Sequence, residues 1–296
     1  MRDFSPEVRH VEQEGYVIAR GVLTEADTRP VIEELNAFIE SQAQKLFAAG
    51  KITDRCESQD FEHRVVNLYR QNPAVVRGMD IMLLRGPAMF AFLHNEHFLD
   101  LAEALLGPEV TCNPIQHLRA KMPASVDGAD GFMNVPWHQD VGVTMPESEP
   151  SRIITFWTPL VDATRETGCM EILPRCMEFG ALPHISGSYG TEIDPAAMPP
   201  RQPVAAECRR GDVVVMSKYT PHRGTPNRAD IARWSIDLRF QVTGQHTGRP
   251  VHPDFPVRSR KNPASVRRDY AWWCHAWEQA LANPQAVQFH RVAPKK

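Results

Sequence analysis

The chain has 296 residues, 42% of them hydrophobic and 23% charged, with a formal net charge of −3. That is the composition of an ordinary globular protein, and without a long basic run it carries no footprint for a nucleic-acid partner. No apolar run nears the ~18 residues needed to cross a bilayer. No membrane partner is expected, and the opening Met1-Arg2-Asp3-Phe4-Ser5 lacks an apolar signal core, which points to a cytoplasmic protein.

The first 107 residues or so read as mostly helical. Ser5-Pro6 places a cap residue before a proline at the first helical position. Tyr16–Ala19 reads as a short strand. Thr24 with Asp27 forms a capping-box pattern ahead of Val31, Leu35, Phe38, Ala43 and Leu46 at helical spacing. Further helices are expected to open at Pro87 and to run from Phe98 to Leu106, where Gly107-Pro108 stops them.

From about 108 to 245 the character changes. Val110–Cys112, Ile115–Met122, Ile153–Pro159, Met170–Leu173, Asp212–Ser217 and Trp234–Val242 are short β-branched or aromatic runs between Gly and Pro punctuation. Several strands without alternating helices predict a sandwich or jelly roll rather than a parallel α/β sheet. A final helix is expected over about 264–282, with Tyr270, Trp273, Trp277 and Leu281 as a core-packing stripe. No repeat or long linker divides the chain, so one domain over 1–296 is expected. Six scattered cysteines, none in a Cys-x-x-Cys pair, predict reduced thiols rather than a disulfide framework. The sequence is silent on oligomeric state.

The chemistry gathers at Trp137-His138-Gln139-Asp140. In a β-like run, His138 and Asp140 share a face, because side chains alternate with period two. His222, in Pro221-His222-Arg223-Gly224, supplies a distant third donor. Two imidazoles and a carboxylate make a facial triad with open coordination positions, the arrangement of non-haem iron oxygenases. Downstream, Arg233, Ser235, Asp237 and Arg239 alternate with Trp234, Ile236, Leu238 and Phe240. Such a strand is either a solvent-facing edge or a barrel wall, polar side inward. In the second case a guanidinium in the barrel mouth suits bidentate capture of a carboxylate.

These residues, with Gly168-Cys169-Met170-Glu171-Ile172-Leu173-Pro174, Gly211-Asp212-Val213-Val214, His222-Arg223-Gly224-Thr225-Pro226-Asn227 and, upstream, Glu14–Ile18, resemble the phytanoyl-CoA dioxygenase family. The resemblance implies a double-stranded β-helix (jelly roll, cupin-like), mainly β and buttressed by N- and C-terminal helices. It implies Fe(II) on His138, Asp140 and His222. It also implies 2-oxoglutarate anchored by Arg233 and O2 as the oxidant. Trp157 and Gln116 are implied as pocket walls near the cosubstrate. The implied reaction is hydroxylation of an unactivated C–H bond of a small-molecule substrate, releasing succinate and CO2. Desaturation, cyclisation or epimerisation on the same site, or a non-catalytic binding module, are the alternatives.

The chain departs from the family pattern twice. Gly224 stands where a serine is common, so that hydroxyl contact is absent or comes from Ser235 or Thr220. Pro174-Arg175-Cys176-Met177 replaces the usual Pro-Gly-Ser-His turn. Asp140 argues against the halogenating relatives, in which a small residue takes its place. Among other histidines, His94 and His97 beside Asp100 are a rival metal pair, while His184, His246 and His252 fall in loops around the expected mouth. The stretches 123–135 and 183–203 are expected to shape that mouth, the first as a mobile lid.

Overall fold

The computed structural model describes residues 2–127, 134–187, 190–286 and 290–292. Helix α1 (Ser5–Glu14) leads into strand β1 (Tyr16–Ala19), then α2 (Glu25–Ala48), α3 (Phe61–Gln71), α4 (Ile81–Leu84), α5 (Pro87–Phe92) and α6 (Glu96–Leu106). β2 (Glu109–Lys121) and a short α7 (Ala124–Asp127) precede β3 (Ile153–Pro159), β4 (Met170–Ile172), β5 (His184–Gly187), β6 (Gly190–Ile193) and β7 (Val204–Ala206). β8 (Val213–Ser217), β9 (His222–Gly224), β10 (Arg233–Val242), β11 (Phe255–Ser259) and α8 (Tyr270–Ala282) follow.

Local chemistry explains many of these boundaries. Thr24 and Asp27 form the expected capping box on α2, whose buried stripe runs Val31, Leu35, Ile39, Ala43 and Leu46. Asp60 caps α3 by accepting from the backbone N–H of Glu62 and His63. The helix read as opening at Ala264 starts only at Tyr270: Asp269 caps it, and Pro263–Ser265 forms a separate 3₁₀ turn. Two of its four stripe residues leave the core, since Tyr270 and Leu281 are exposed while Trp273 and Trp277 are buried.

The strands form a double-stranded β-helix. A six-stranded sheet runs β1-β8-β3-β10-β2-β11, a three-stranded sheet β7-β4-β9 faces it, and β5 and β6 make a separate hairpin. Every pairing is antiparallel. The hairpin occupies part of the 183–203 stretch that is expected to shape the mouth.

β10 lies between β3 and β2 and is no solvent-facing edge. Its apolar face, Trp234, Ile236, Leu238 and Phe240, is fully buried and packs in the same core as α2, α5, α6 and α8. A smaller core of Trp157, Met170, Ile172, Val214 and Met216 fills the space between the sheets.

The two runs read as Val110–Cys112 and Ile115–Met122 are one strand, β2, with Pro114 inside it. A bulge accommodates that proline. Asn113 pairs with Arg239 and His117 with Asp237, so the longer stretch of β2 stands against a shorter one of β10.

Candidate active site around a facial triad

His138, Asp140 and His222 converge: each offers a ligand atom, and these lie within 4.8 Å of one another. The convergence does not come from a regular strand. His138 makes an isolated antiparallel bridge with His222, and Asp140 opens a 3₁₀ turn over Asp140–Val143. The backbones of His138 and His222 exchange both hydrogen bonds, at 3.0 and 2.9 Å, which brings the imidazole centroids to 4.1 Å.

The donor set fits a divalent metal. Each histidine donates Nδ1–H to the carbonyl two residues back, His138 to Pro136 at 2.8 Å and His222 to Thr220 at 2.9 Å. A carbonyl only accepts, so the proton sits on Nδ1 and Nε2 is left with its lone pair toward the site. Burial, and next the neighbouring His222, push His138 down to about 3, so it stays a neutral ligand. Burial works to raise Asp140. The Arg239 guanidinium outweighs it and holds the carboxyl well below its usual range.

Arg239 and Thr155 fix that carboxylate. Arg239 Nη2 donates to Asp140 Oδ1 at 2.5 Å, and the Thr155 hydroxyl donates to Oδ2. Both ends of the ion pair are almost completely buried, at 4% and 1% exposure. Gln139, between the two ligands, turns the other way and ties the turn down by donating to the carbonyls of Gly180 and Tyr219 and accepting from Leu182 N–H.

Arg233 sits six residues before Arg239 on the inward face of β10. It is 3% exposed and stacks over Trp157 with its guanidinium carbon 5.0 Å from the ring centroid. Among the described residues its one hydrogen bond donates to the Ser235 hydroxyl at 2.6 Å, and its Nε has no partner there. No carboxylate among the described residues pairs with it. Burial, and then Arg119, lower it to about 10, which leaves it charged at neutral pH.

A cavity of about 650 Å³ joins these groups: His138, Asp140, His222, Trp157, Arg233 and Arg239 all line it. Gln116 does not. Its amide instead donates to Cys112 Sγ and the Asn113 carbonyl, and its strand neighbours His117 and Arg119 line the cavity. The reading of Gln116 as a pocket wall is therefore corrected to its neighbour. Of the two hydroxyls considered in place of the missing serine, Thr220 donates to the Gly15 carbonyl, and Ser235 stands beside Arg233.

The rival histidines are elsewhere. Both ring nitrogens of His94 face carbonyls, of Phe90 and Arg267, and His97 pairs with Asp27. Among the described residues the facial triad is the one metal-competent cluster. His184 is packed behind the triad, where its Nε2 accepts from Gln139 N–H. His246 accepts from Gly248 N–H through Nδ1. His252 does line the cavity, against Trp277.

Sequence reasoning missed Thr155, Asp80, Thr191 and His290. The last three also line the cavity and come from distant parts of the chain. Of the expected lid at 123–135, the start is α7 and Val135 lines the cavity, while residues 128–133 lie outside the described residues. The altered Pro174–Met177 rim is fastened to α1, where Arg175 donates to the Glu14 carboxylate at 2.7 to 3.0 Å.

Comparison with known proteins agrees with this geometry. The model of the phytanoyl-CoA dioxygenase family matches residues 11–235. The chain belongs to that family. As a member with an intact facial triad it is an enzyme built around that metal site.

Among solved structures of similar fold is the apo form of the non-haem monooxygenase ThoJ, at 19% identity and TM-score 0.58, covering 93% of this chain and 94% of that one. The 2-oxoglutarate-dependent carbocyclase SnoK from nogalamycin biosynthesis is 18% identical, with TM-score 0.51 and 90% and 94% coverage. The epimerase SnoN from the same pathway is 18% identical, with TM-score 0.51 and 80% and 81% coverage. No curated protein matches the sequence significantly.

Proposed function

We propose that this family member is an Fe(II)- and 2-oxoglutarate-dependent oxygenase that oxidises a C–H bond of a small molecule. The observation that carries the reading is Arg233, a buried guanidinium without a carboxylate partner among the described residues, in the same cavity as the facial triad. A buried charge left unpaired is costly, and the distal carboxylate of 2-oxoglutarate is the partner that its planar fork suits. His138, Asp140 and His222 would hold the metal, which when bound supplies the oxidative chemistry. The protein's part is to turn both imidazole Nε2 atoms toward the metal, to hold Asp140 charged through Arg239 and Thr155, and to seat the cosubstrate between Arg233 and the triad.

Hydroxylation is the simplest outcome. The fold neighbours named for epimerisation and carbocyclisation favour a second reading, in which the same site ends in rearrangement, ring closure or desaturation. A cavity of about 650 Å³ suits a small-molecule substrate. Among the described residues no helix is long and apolar enough to cross a membrane. All six cysteines are unpaired, which suits the reducing cytoplasm we assign to the protein.

Succinate formation from 2-oxoglutarate with Fe(II), over a small-molecule library, tests the reading. We expect turnover with at least one compound and none in His138→Ala or His222→Ala. Product mass then separates hydroxylation, which adds one oxygen atom, from desaturation, which removes two hydrogens, and from epimerisation, which leaves the mass unchanged. Full metal occupancy and turnover in both variants would overturn the assignment of the ligands.

A further inference from the structure

The cavity has a polar corner that neither the metal nor the cosubstrate anchor uses. Asp237 lies on the inward face of β10 between Ser235 and Arg239 and lines the cavity. Its Oδ1 is buried without a hydrogen bond. Arg239 Nη1 approaches that oxygen to 3.2 Å as an ion pair, but the angle is wrong for a hydrogen bond, and Nη2 of the same guanidinium is turned to Asp140. Directly opposite on β2 stands His117. Cross-strand partners on one face have Cβ atoms about 5 Å apart.

His117 also lines the cavity, and a carboxylate sets its orientation. Its Nδ1 faces Asp80 Oδ2 at 3.4 Å, while Asp80 Oδ1 accepts from the backbone N–H of Ile81 at 2.8 Å and Leu118 at 3.2 Å. With Nδ1–H toward Asp80, His117 presents the Nε2 lone pair, to which no described group donates. Val76, Met79, Met82, Leu83 and Leu118 form apolar wall in the same cavity.

We propose that Asp237 and His117 form a subsite that reads a hydroxyl group on an otherwise apolar substrate. Asp237 and His117 line the same cavity, and two acceptor side chains there call for a ligand that donates. The Arg239 cation beside Asp237 disfavours an ammonium, which leaves the neutral donor, an alcohol or phenol. The subsite is specificity-determining. A molecule that lacks the donor leaves a buried carboxylate oxygen without a hydrogen bond, and a pocket discriminates strongly on that ground.

The inference rests on the oxygenase reading, and the test separates the two. The full chain is loaded with Ni(II) and 2-oxoglutarate in place of active metal. Binding of 2-naphthol and 1-indanol is then compared with their methyl ethers, and with 2-aminoindane, by ligand-observed NMR titration. A wild-type protein that fails to take up 2-oxoglutarate counts against the oxygenase reading. A loaded protein that lacks the alcohol preference counts against the subsite alone.

We expect the alcohols to bind about tenfold or more tighter than the ethers, as a hydrogen bond to a charged group implies, with no preference for the amine. The preference should shrink to within about twofold in Asp237→Asn and in His117→Leu, each checked by its melting curve. Ethers equal to alcohols, a preferred ammonium, no binding of any panel member to loaded wild-type protein, or a preference that survives both variants would overturn the proposal.

Discussion

At the scale of single residues, two arginines on one strand face do opposite jobs. Arg233 lacks an acidic partner among the described residues, so on the proposed reading truncation should remove a charge-assisted contact to 2-oxoglutarate. Losing one partner of such a desolvated pair costs about 2–5 kcal/mol. At about 1.4 kcal/mol per decade, Arg233→Ala should weaken cosubstrate affinity by about 30-fold or more. Metal binding should stay close to wild type. Anaerobic titration of the Fe(II) protein, followed by its charge-transfer band, measures both, and an unchanged dissociation constant would move the anchor elsewhere.

Arg239 is not a substitute anchor, because Asp140 and Asp237 already occupy it. Arg239→Met strands a buried carboxylate, a change that costs about 3–5 kcal/mol. A bound divalent ion would replace part of the lost positive charge. The fall in melting temperature should therefore be larger in chelator than in Ni(II), and an equal fall in both would mean that Arg239 acts through packing instead.

At the scale of elements, β10 separates two environments, with ionic groups inside the barrel and aromatics under the helices. Alternation along Arg233–Phe240 announced that division, and the strand's central place in the sheet turned the ambiguous edge into a wall. On β2, His117 and Arg119, two residues apart, line the cavity, whereas Gln116, which the resemblance to the family placed there, turns its amide to Cys112 and Asn113.

The stripe on helix α8 holds only in part. Helical spacing places Tyr270, Trp273, Trp277 and Leu281 near one face, but only the middle pair is buried. Trp273 is fully buried, with its ring centroid 5.2 Å from that of Phe90. Trp273→Ala should cost about 3–5 kcal/mol in stability, measured by chemical denaturation. A loss below about 1 kcal/mol, the level of ordinary surface changes, would show that α8 is docked only loosely.

At the scale of the whole molecule, the buried Lys121 gives stability a pH dependence. It is 2% exposed, and its Nζ donates to the Thr225 carbonyl at 2.6 Å. Burial, then Arg233 and Arg119, push it down to about 6, whereas an unfolded lysine titrates near ~10.4. Between those values the unfolded chain binds a proton that the folded chain does not. Stability from this group therefore rises with pH across that window, by up to about 1.4 kcal/mol per unit, and is flat below and above it. Urea denaturation between pH 6 and pH 8 should show a steeper rise for wild type than for Lys121→Met. Parallel curves would mean that the amine stays charged in the folded state.

Some of this protein was settled by local sequence. The capping box on α2, the apolar stripes and the β-branched runs are short-range patterns, and short-range physics reads them through helical and strand periodicity, whereas His138, Asp140, His222 and Arg233 were legible through side-chain chemistry and the resemblance to a family. What only tertiary structure decided depends on residues that meet from distant parts of the chain. The Arg239–Asp140 pair joins positions 99 apart. Asp80 and His117 meet across 37 residues, and His290 touches Thr191 from 99 residues away. A single sequence carries no signal of such proximity, because the free energy that selects it comes from burying one side chain against another after both strands and helices are in place.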